Sequence, residues 1–149
     1  MLHVQRDLLS LGVDSAVMTT DSGIDLVAYD SQSKKSFSIQ VKTSGMVLSV
    51  KRPDWKVKKN KLDDAELFAF VLKNQIGEAW YLTGIELRTG SLLRLYNGEW
   101  ALTFYRTGAP KGRTTESDMA PYKGLGGLER FLVSLRSAGG VLKVKAAGA

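Results

Sequence analysis

The chain has 149 residues, 44% of them hydrophobic and 24% charged, which fits one globular domain and excludes disorder over most of the length. Cysteine is absent and His3 is the one histidine, so disulfides, thiolate metal sites, cysteine nucleophiles and multi-histidine metal centres are excluded. Lysine and arginine number 21 against 15 acids, and the net charge of +6 favours a polyanionic partner such as nucleic acid.

No apolar run approaches the roughly 18 residues of a membrane span. The first residues lack the basic and apolar pattern of a signal peptide. A cytoplasmic protein without membrane contact is therefore expected.

In chain order, Val4 to Leu11 reads as a short amphipathic helix, with Val4, Leu8 and Leu11 on one face and Gly12 as its stop. Ser15 to Thr20 reads as a strand and Asp21-Ser22-Gly23 as a turn. A hairpin follows. Ile24 to Tyr29 is one strand, Asp30 to Lys35 a polar loop, and Ser36 to Thr43 the partner. In that partner Phe37, Ile39 and Val41 alternate with Ser38, Gln40 and Lys42, which predicts one buried face.

Met46 to Val50 and Trp55 to Lys58 read as short strands around a Pro53-Asp54 turn. Leu67 to Leu72 is an unbroken apolar run of strand length, expected to lie centrally beside the hairpin and to be covered on both faces. Asn74 to Gly77 is a turn and Ala79 to Thr83 the returning strand. Leu92 to Tyr96, Asn97-Gly98 and Trp100 to Tyr105 spell a second hairpin. Thr107 to Ser117 reads as a mobile polar loop, and Leu125 to Ser137 as a helix. The expectation is a single α/β (α+β) domain over 1–137, a mixed central sheet with flanking helices. Residues 138–149 follow as a flexible tail, in which Val141 to Val144 could form an edge strand.

The chemistry concentrates between Gly23 and Ser44. Asp25 opens one hairpin strand, while Gln40 and Lys42 leave the same face of its partner. A carboxylate, an amide oxygen and a lysine gathered at one sheet end suit a hard, oxygen-preferring cation beside a charge-stabilising or basic group. Each residue also has an ordinary reading: Asp25 as a turn cap, Lys42 as a solvated strand lysine, Gln40 as a surface amide.

Asp25 followed by Gln40-Val41-Lys42 resembles the PD-(D/E)xK nuclease superfamily, whose fold is the restriction-endonuclease-like one. The resemblance is closest to small stand-alone members with a Gly-x-Asp-Leu strand followed by (Gln/Glu)-Val-Lys. It implies metal ligation by Asp25 and Gln40, with help from the Val41 carbonyl, and a Lys42 that orients or activates the attacking water. It also implies magnesium as the cofactor, with manganese able to substitute. Two departures stand out. Gln40 replaces the usual second acid and removes one negative charge. The first-helix glutamate of the family has no counterpart at Met1-Leu2: either the start is truncated, or Asp7 or Asp21 substitutes, or the site is degenerate.

Lys51, Arg52, Lys56, Lys58, Lys59 and Lys61 follow the motif with Trp55 among them. Such a stretch can track a phosphate backbone or simply protect a sheet edge. Arg106, Lys111 and Arg113 could reach DNA from the polar loop. The function these residues point to is a magnesium-dependent endonuclease that hydrolyses phosphodiesters of duplex or branched DNA. Cutting two strands favours a homodimer or higher homo-oligomer. The alternative is a catalytically inactive DNA-binding or protein-interaction module on the same fold.

Overall fold

The structure, a computed structural model, describes residues 1–19, 23–44, 51–73 and 77–148, with side chains through 137. Its centre is a five-stranded mixed sheet in the order β1-β2-β3-β5-β6. The strands are β1 (Val13–Val17), β2 (Leu26–Asp30), β3 (Lys35–Ser44), β5 (Leu67–Leu72) and β6 (Ala79–Leu82). A second, three-stranded sheet contains β4 (Asp54–Lys56), β7 (Leu93–Tyr96) and β8 (Glu99–Thr103), with β8 in the middle. The helices are α1 (Leu2–Ser10), α2 (Gly84–Thr89), α3 (Glu116–Met119) and α4 (Gly124–Gly148).

The alternation in β3 has the effect expected of it. Phe37 and Ile39 are buried and Val41 is half-buried, all packed on the face that carries α1 and α4. That core joins Val4 and Leu8 of α1, Leu26 and Ala28 of β2, and Leu128, Phe131 and Leu132 of α4. The opposite face packs against the second sheet through Trp55, Phe68, Phe70, Trp80, Leu102 and Phe104.

β5 lies between β3 and β6 and feeds both cores. Leu67, Ala69 and Val71 enter one, while Phe68, Phe70 and Leu72 enter the other. Burial on both faces is why this strand carries no polar alternation. β5 runs parallel to β3 and antiparallel to β6. The architecture is thus three layers: helices, mixed sheet, small antiparallel sheet.

Polar clamps tie the layers. Asp30, fully buried at the end of β2, accepts from Arg136 Nε and Nη2 of α4, both at 2.9 Å. The Arg136 bonds above all, with Ser33, hold the Asp30 carboxyl well below the usual carboxylate range against the effect of burial.

Several boundaries differ from the sequence expectation. The first strand is Val13–Val17 rather than Ser15 to Thr20, because its partner register runs Val13 to Asp30 through Val17 to Leu26. The predicted strand Trp55 to Lys58 is Asp54–Lys56 and joins the second sheet, which a single-sheet reading lacks. Thr107 to Ser117, expected to be one irregular loop, contains a bridge between Tyr105 and Thr115 and the start of α3, set by a Thr115–Asp118 capping box. The last helix runs to Gly148, so Val141 to Val144 are helical, not strand. Thr20 to Ser22, Gly45 to Val50 and Asn74 to Ile76 lie outside the described residues, and with them the expected strand Met46 to Val50 and most of two predicted turns.

Candidate functional site and basic groove

Asp25 sits one residue before β2, held from three directions. Its amide donates to the Ile39 carbonyl at 2.9 Å, and its carbonyl accepts from the Met18 amide at 3.0 Å. Its Oδ2 accepts from the Val41 amide at 2.7 Å. Leu26 is already the ladder partner of Ile39, so β2 has no further residue to offer Val41. The Asp25 carboxylate fills that place, and its other oxygen accepts no hydrogen bond among the described residues.

Gln40 and Lys42 face the second sheet. In the parallel register Gln40 pairs with Phe68 and Lys42 with Phe70, both on that side of the sheet. Both are half-buried. Among the described residues neither side chain is fixed by a hydrogen bond or ion pair. The structure thus joins Asp25 to the Val41 amide at the end of the β2–β3 pair, with Gln40 and Lys42 flanking Val41 on β3.

Lys42 opens into a groove of about 530 Å³ shared with Lys56, Lys58, Lys59, Glu99 and Trp100. Four lysines against one glutamate give it a strongly positive lining. Lys59 Nζ lies 3.9 Å from the centre of the Trp100 ring, a cation–π contact that keeps an aromatic face in the groove. Lys56 meets Glu99 at 2.9 Å, but both side chains are exposed and the pair contributes little.

The other predicted basic residues lie elsewhere. Lys61 is exposed on a short 3-10 turn. Lys51 is exposed, and Arg52 packs on Tyr96 and Tyr105 rather than facing the groove. Arg106 is not a free loop arginine: it is largely buried and pairs with Glu78 at 2.6 Å and Glu116 at 3.6 Å.

The donor set for a divalent cation is lean. Among the described residues no group of three or more His, Cys, Asp or Glu gathers anywhere. Asp7, a candidate substitute for the missing acid, accepts from the Tyr81 hydroxyl at 2.6 Å instead. Burial first, and that bond second, push the Tyr81 hydroxyl well above its ordinary value. Asp21 lies outside the described residues.

One acid escaped the sequence reading. A side chain at Gly23, whose φ is +80°, would stand 3.4 Å from Asp64 Oδ2, so a second carboxylate borders the turn that leads into Asp25. The separation of 39 residues hides that proximity in the sequence, and only the Gly23 turn hints at a close approach. The oxygens on hand are a carboxylate, an amide and a backbone carbonyl, all hard donors. Magnesium takes one or two carboxylates and fills its remaining positions with water and substrate phosphate, so this set fits it.

No family model matches the sequence, and no curated protein matches it. Among solved structures, the fold is similar to that of a bacterial homing endonuclease, I-Ssp6803I. The TM-score is 0.59 at 13% identity, over 95% of this chain and 88% of that one. At that identity the likeness speaks for the fold alone. No helix among the described residues is long and apolar enough to cross a membrane.

Proposed function

We propose that this chain is a magnesium-dependent endonuclease of the PD-(D/E)xK type that hydrolyses DNA phosphodiester bonds. The observation that carries the reading is the groove. Lys42, the last residue of the Gln-Val-Lys motif, opens into the same basic channel as Lys56, Lys58 and Lys59. A phosphate backbone drawn along those lysines would reach Lys42, the neighbour of the Val41 whose amide holds Asp25. The likeness to a homing endonuclease fold supports the same reading.

Asp25 Oδ1, the Gln40 amide oxygen and the Val41 carbonyl would hold the cation. Bound there, it would polarise the scissile phosphate and lower the pKa of a water. Asp25 keeps one oxygen on the Val41 amide, so its second oxygen has a fixed direction. Lys42 holds a positive charge beside the reacting phosphate and favours the pentacoordinate, more negative transition state. Manganese substitutes for magnesium because the donors are oxygen alone. The partner is duplex or branched DNA, and two cuts on opposite strands call for two copies of the chain.

A second reading has its own support. The absence of a three-acid cluster among the described residues favours a DNA-binding module on a nuclease fold that has lost its chemistry.

A plasmid-nicking assay with Mg²⁺, run beside DNA-binding titrations, separates the two. The enzyme reading expects cleavage that Lys42→Ala lowers ~10²-fold with binding nearly unchanged. Binding without cleavage in either Mg²⁺ or Mn²⁺ supports the inactive module.

A further inference from the structure

The second sheet has an outer face whose chemistry differs from that of its core face. Leu93, Leu102 and Trp55 align across β7, β8 and β4 and point into the core. The next row, Arg94, Ala101 and Lys56, points away from it. Tyr96, two residues along β7 from Arg94, continues that side of the strand, and Arg52 and Arg113 gather on its ring.

The Arg52 guanidinium lies 5.5 Å from the Tyr96 ring centre and 5.7 Å from that of Tyr105. Arg113 lies 5.5 Å from the same Tyr96 ring and donates to the Tyr96 hydroxyl at 2.6 Å. Arg94 donates to the Gly112 carbonyl at 3.0 Å and so fixes the backbone next to Arg113.

Four other arginines are paired with acids, while Arg6 on α1 meets His3. Arg88, Arg106, Arg130 and Arg136 each hold a carboxylate. Among the described residues Arg52, Arg94 and Arg113 hold none within ion-pair distance, although Asp54 attracts Arg52 from the strand beneath. Three cations are thus gathered on one face, Arg52 and Arg113 braced by aromatic rings and Arg94 by the Gly112 carbonyl, none of them in an ion pair among the described residues.

We propose that this outer face is a base-reading surface for duplex DNA, with Arg52 and Arg113 presenting their guanidinium forks to guanine edges in the major groove. The proposal rests on DNA being the partner and goes beyond it by naming where sequence preference arises. The major groove admits a two-stranded β-ribbon, and the β7–β8 hairpin with its tight Asn97-Gly98 turn is such a ribbon. A guanidinium meets guanine O6 and N7 with two parallel hydrogen bonds, which a lysine cannot match. Stacking on Tyr96 and Tyr105 orders both forks before DNA arrives, so less freedom is lost on binding. Arg94 is a positioning residue that anchors the Arg113 loop. The lysine groove supplies the sequence-blind attraction and the arginine face the discrimination.

The test uses the full chain without divalent metal, in low salt, against a duplex library randomised along its centre. Bound duplexes are recovered and sequenced. The wild type is expected to enrich a motif with fixed guanines. Arg52→Lys combined with Arg113→Lys keeps the charge and loses the fork. It should lower the preference at those guanines about tenfold or more each, while binding to unselected duplex changes far less. Lys58→Ala with Lys59→Ala should do the reverse, weakening all duplexes and leaving the motif intact.

A motif unchanged in the double arginine variant overturns the proposal, as does duplex binding by the wild type with no motif at all. Both outcomes leave DNA as the partner. No duplex binding in low salt removes the parent reading too. Arginine-dependent binding to poly-L-glutamate in place of duplex would assign the face to an acidic protein and overturn the proposal.

Discussion

Asp25 and Val41 are joined by a 2.7 Å hydrogen bond from amide to carboxylate, at the point where β2 stops and β3 runs on. The bond gives Asp25 two tasks, one structural and one electrostatic, and the two can be separated. Asparagine keeps an oxygen acceptor for the Val41 amide and removes the charge. Asp25→Asn should cost only about 1 kcal/mol of stability, the difference between a charge-assisted and a neutral bond. Asp25→Ala leaves the amide unmet and should cost about 1–3 kcal/mol. Both should lower Mg²⁺-dependent cleavage at least ~10²-fold, because both remove the carboxylate charge that Asp25 offers a cation. Thermal melts beside the nicking assay read both effects. Full cleavage by Asp25→Asn would place the chemistry elsewhere.

The β3 strand was legible because one of its faces is buried and the other is not, so Phe37, Ile39 and Val41 mark it by alternation. Leu67–Leu72 was legible for the opposite reason, being buried on both faces. The second sheet was not. Its β4–β8 pairing joins Trp55 to Leu102, and no local pattern encodes so distant a partner. The short helix Gly84–Thr89 had a local signal that went unread, the Thr83-to-Glu86 capping box. Arg106 looked like a loop cation because its partner Glu78 lies 28 residues upstream. At the site, the hairpin spacing put Asp25 next to Val41, the residue between Gln40 and Lys42. Asp64 came from a fold-level approach that spacing does not show.

Glu78 should control part of the acid stability. Burial disfavours its charge, but Arg106 and Lys123 outweigh burial and hold its carboxyl down to about 2, from an ordinary 4.5. The folded value lies below the unfolded one. The stabilisation is therefore complete above pH 4.5 and is lost as pH falls toward 2. Glu78→Gln should be less stable than the wild type at neutral pH, and the two curves should converge in acid. Denaturant melts across that window measure it. Parallel curves at all pH values would show that the Arg106 and Lys123 contacts contribute nothing to folding.

Two neighbouring glycines at the start of α4 should respond oppositely to alanine. A Cβ at Gly127 would collide with the backbone carbonyl of Tyr122, which cannot swing aside as a side chain could. Gly126 faces open space. Gly127→Ala should displace the helix that carries Leu128, Phe131 and Leu132 into the core, and should cost about 2 kcal/mol or more. Gly126→Ala should be neutral or stabilise by about 0.5 kcal/mol through the unfolded state. Equal effects at the two positions would mean that the Tyr122 turn yields freely.

Gln40→Glu is the sharpest test of the metal reading, because it asks what the amide is for. On β3 the Gln40 side chain is half-buried beside Lys42 and close to the strand end that Asp25 caps. As a cation ligand, glutamine offers a neutral oxygen, and glutamate would offer a charged one. The variant should then bind Mg²⁺ more tightly and reach half-maximal cleavage at a lower metal concentration, by about tenfold for one added charge in a partly screened site. Added Mg²⁺ should also raise its melting temperature more than it raises that of the wild type, since a ligand that binds only the folded state stabilises it in proportion to affinity. If Gln40 only packs beside Phe68, the same change crowds a carboxylate against an apolar strand. Stability would fall, metal dependence would not move, and Gln40 would drop out of the site.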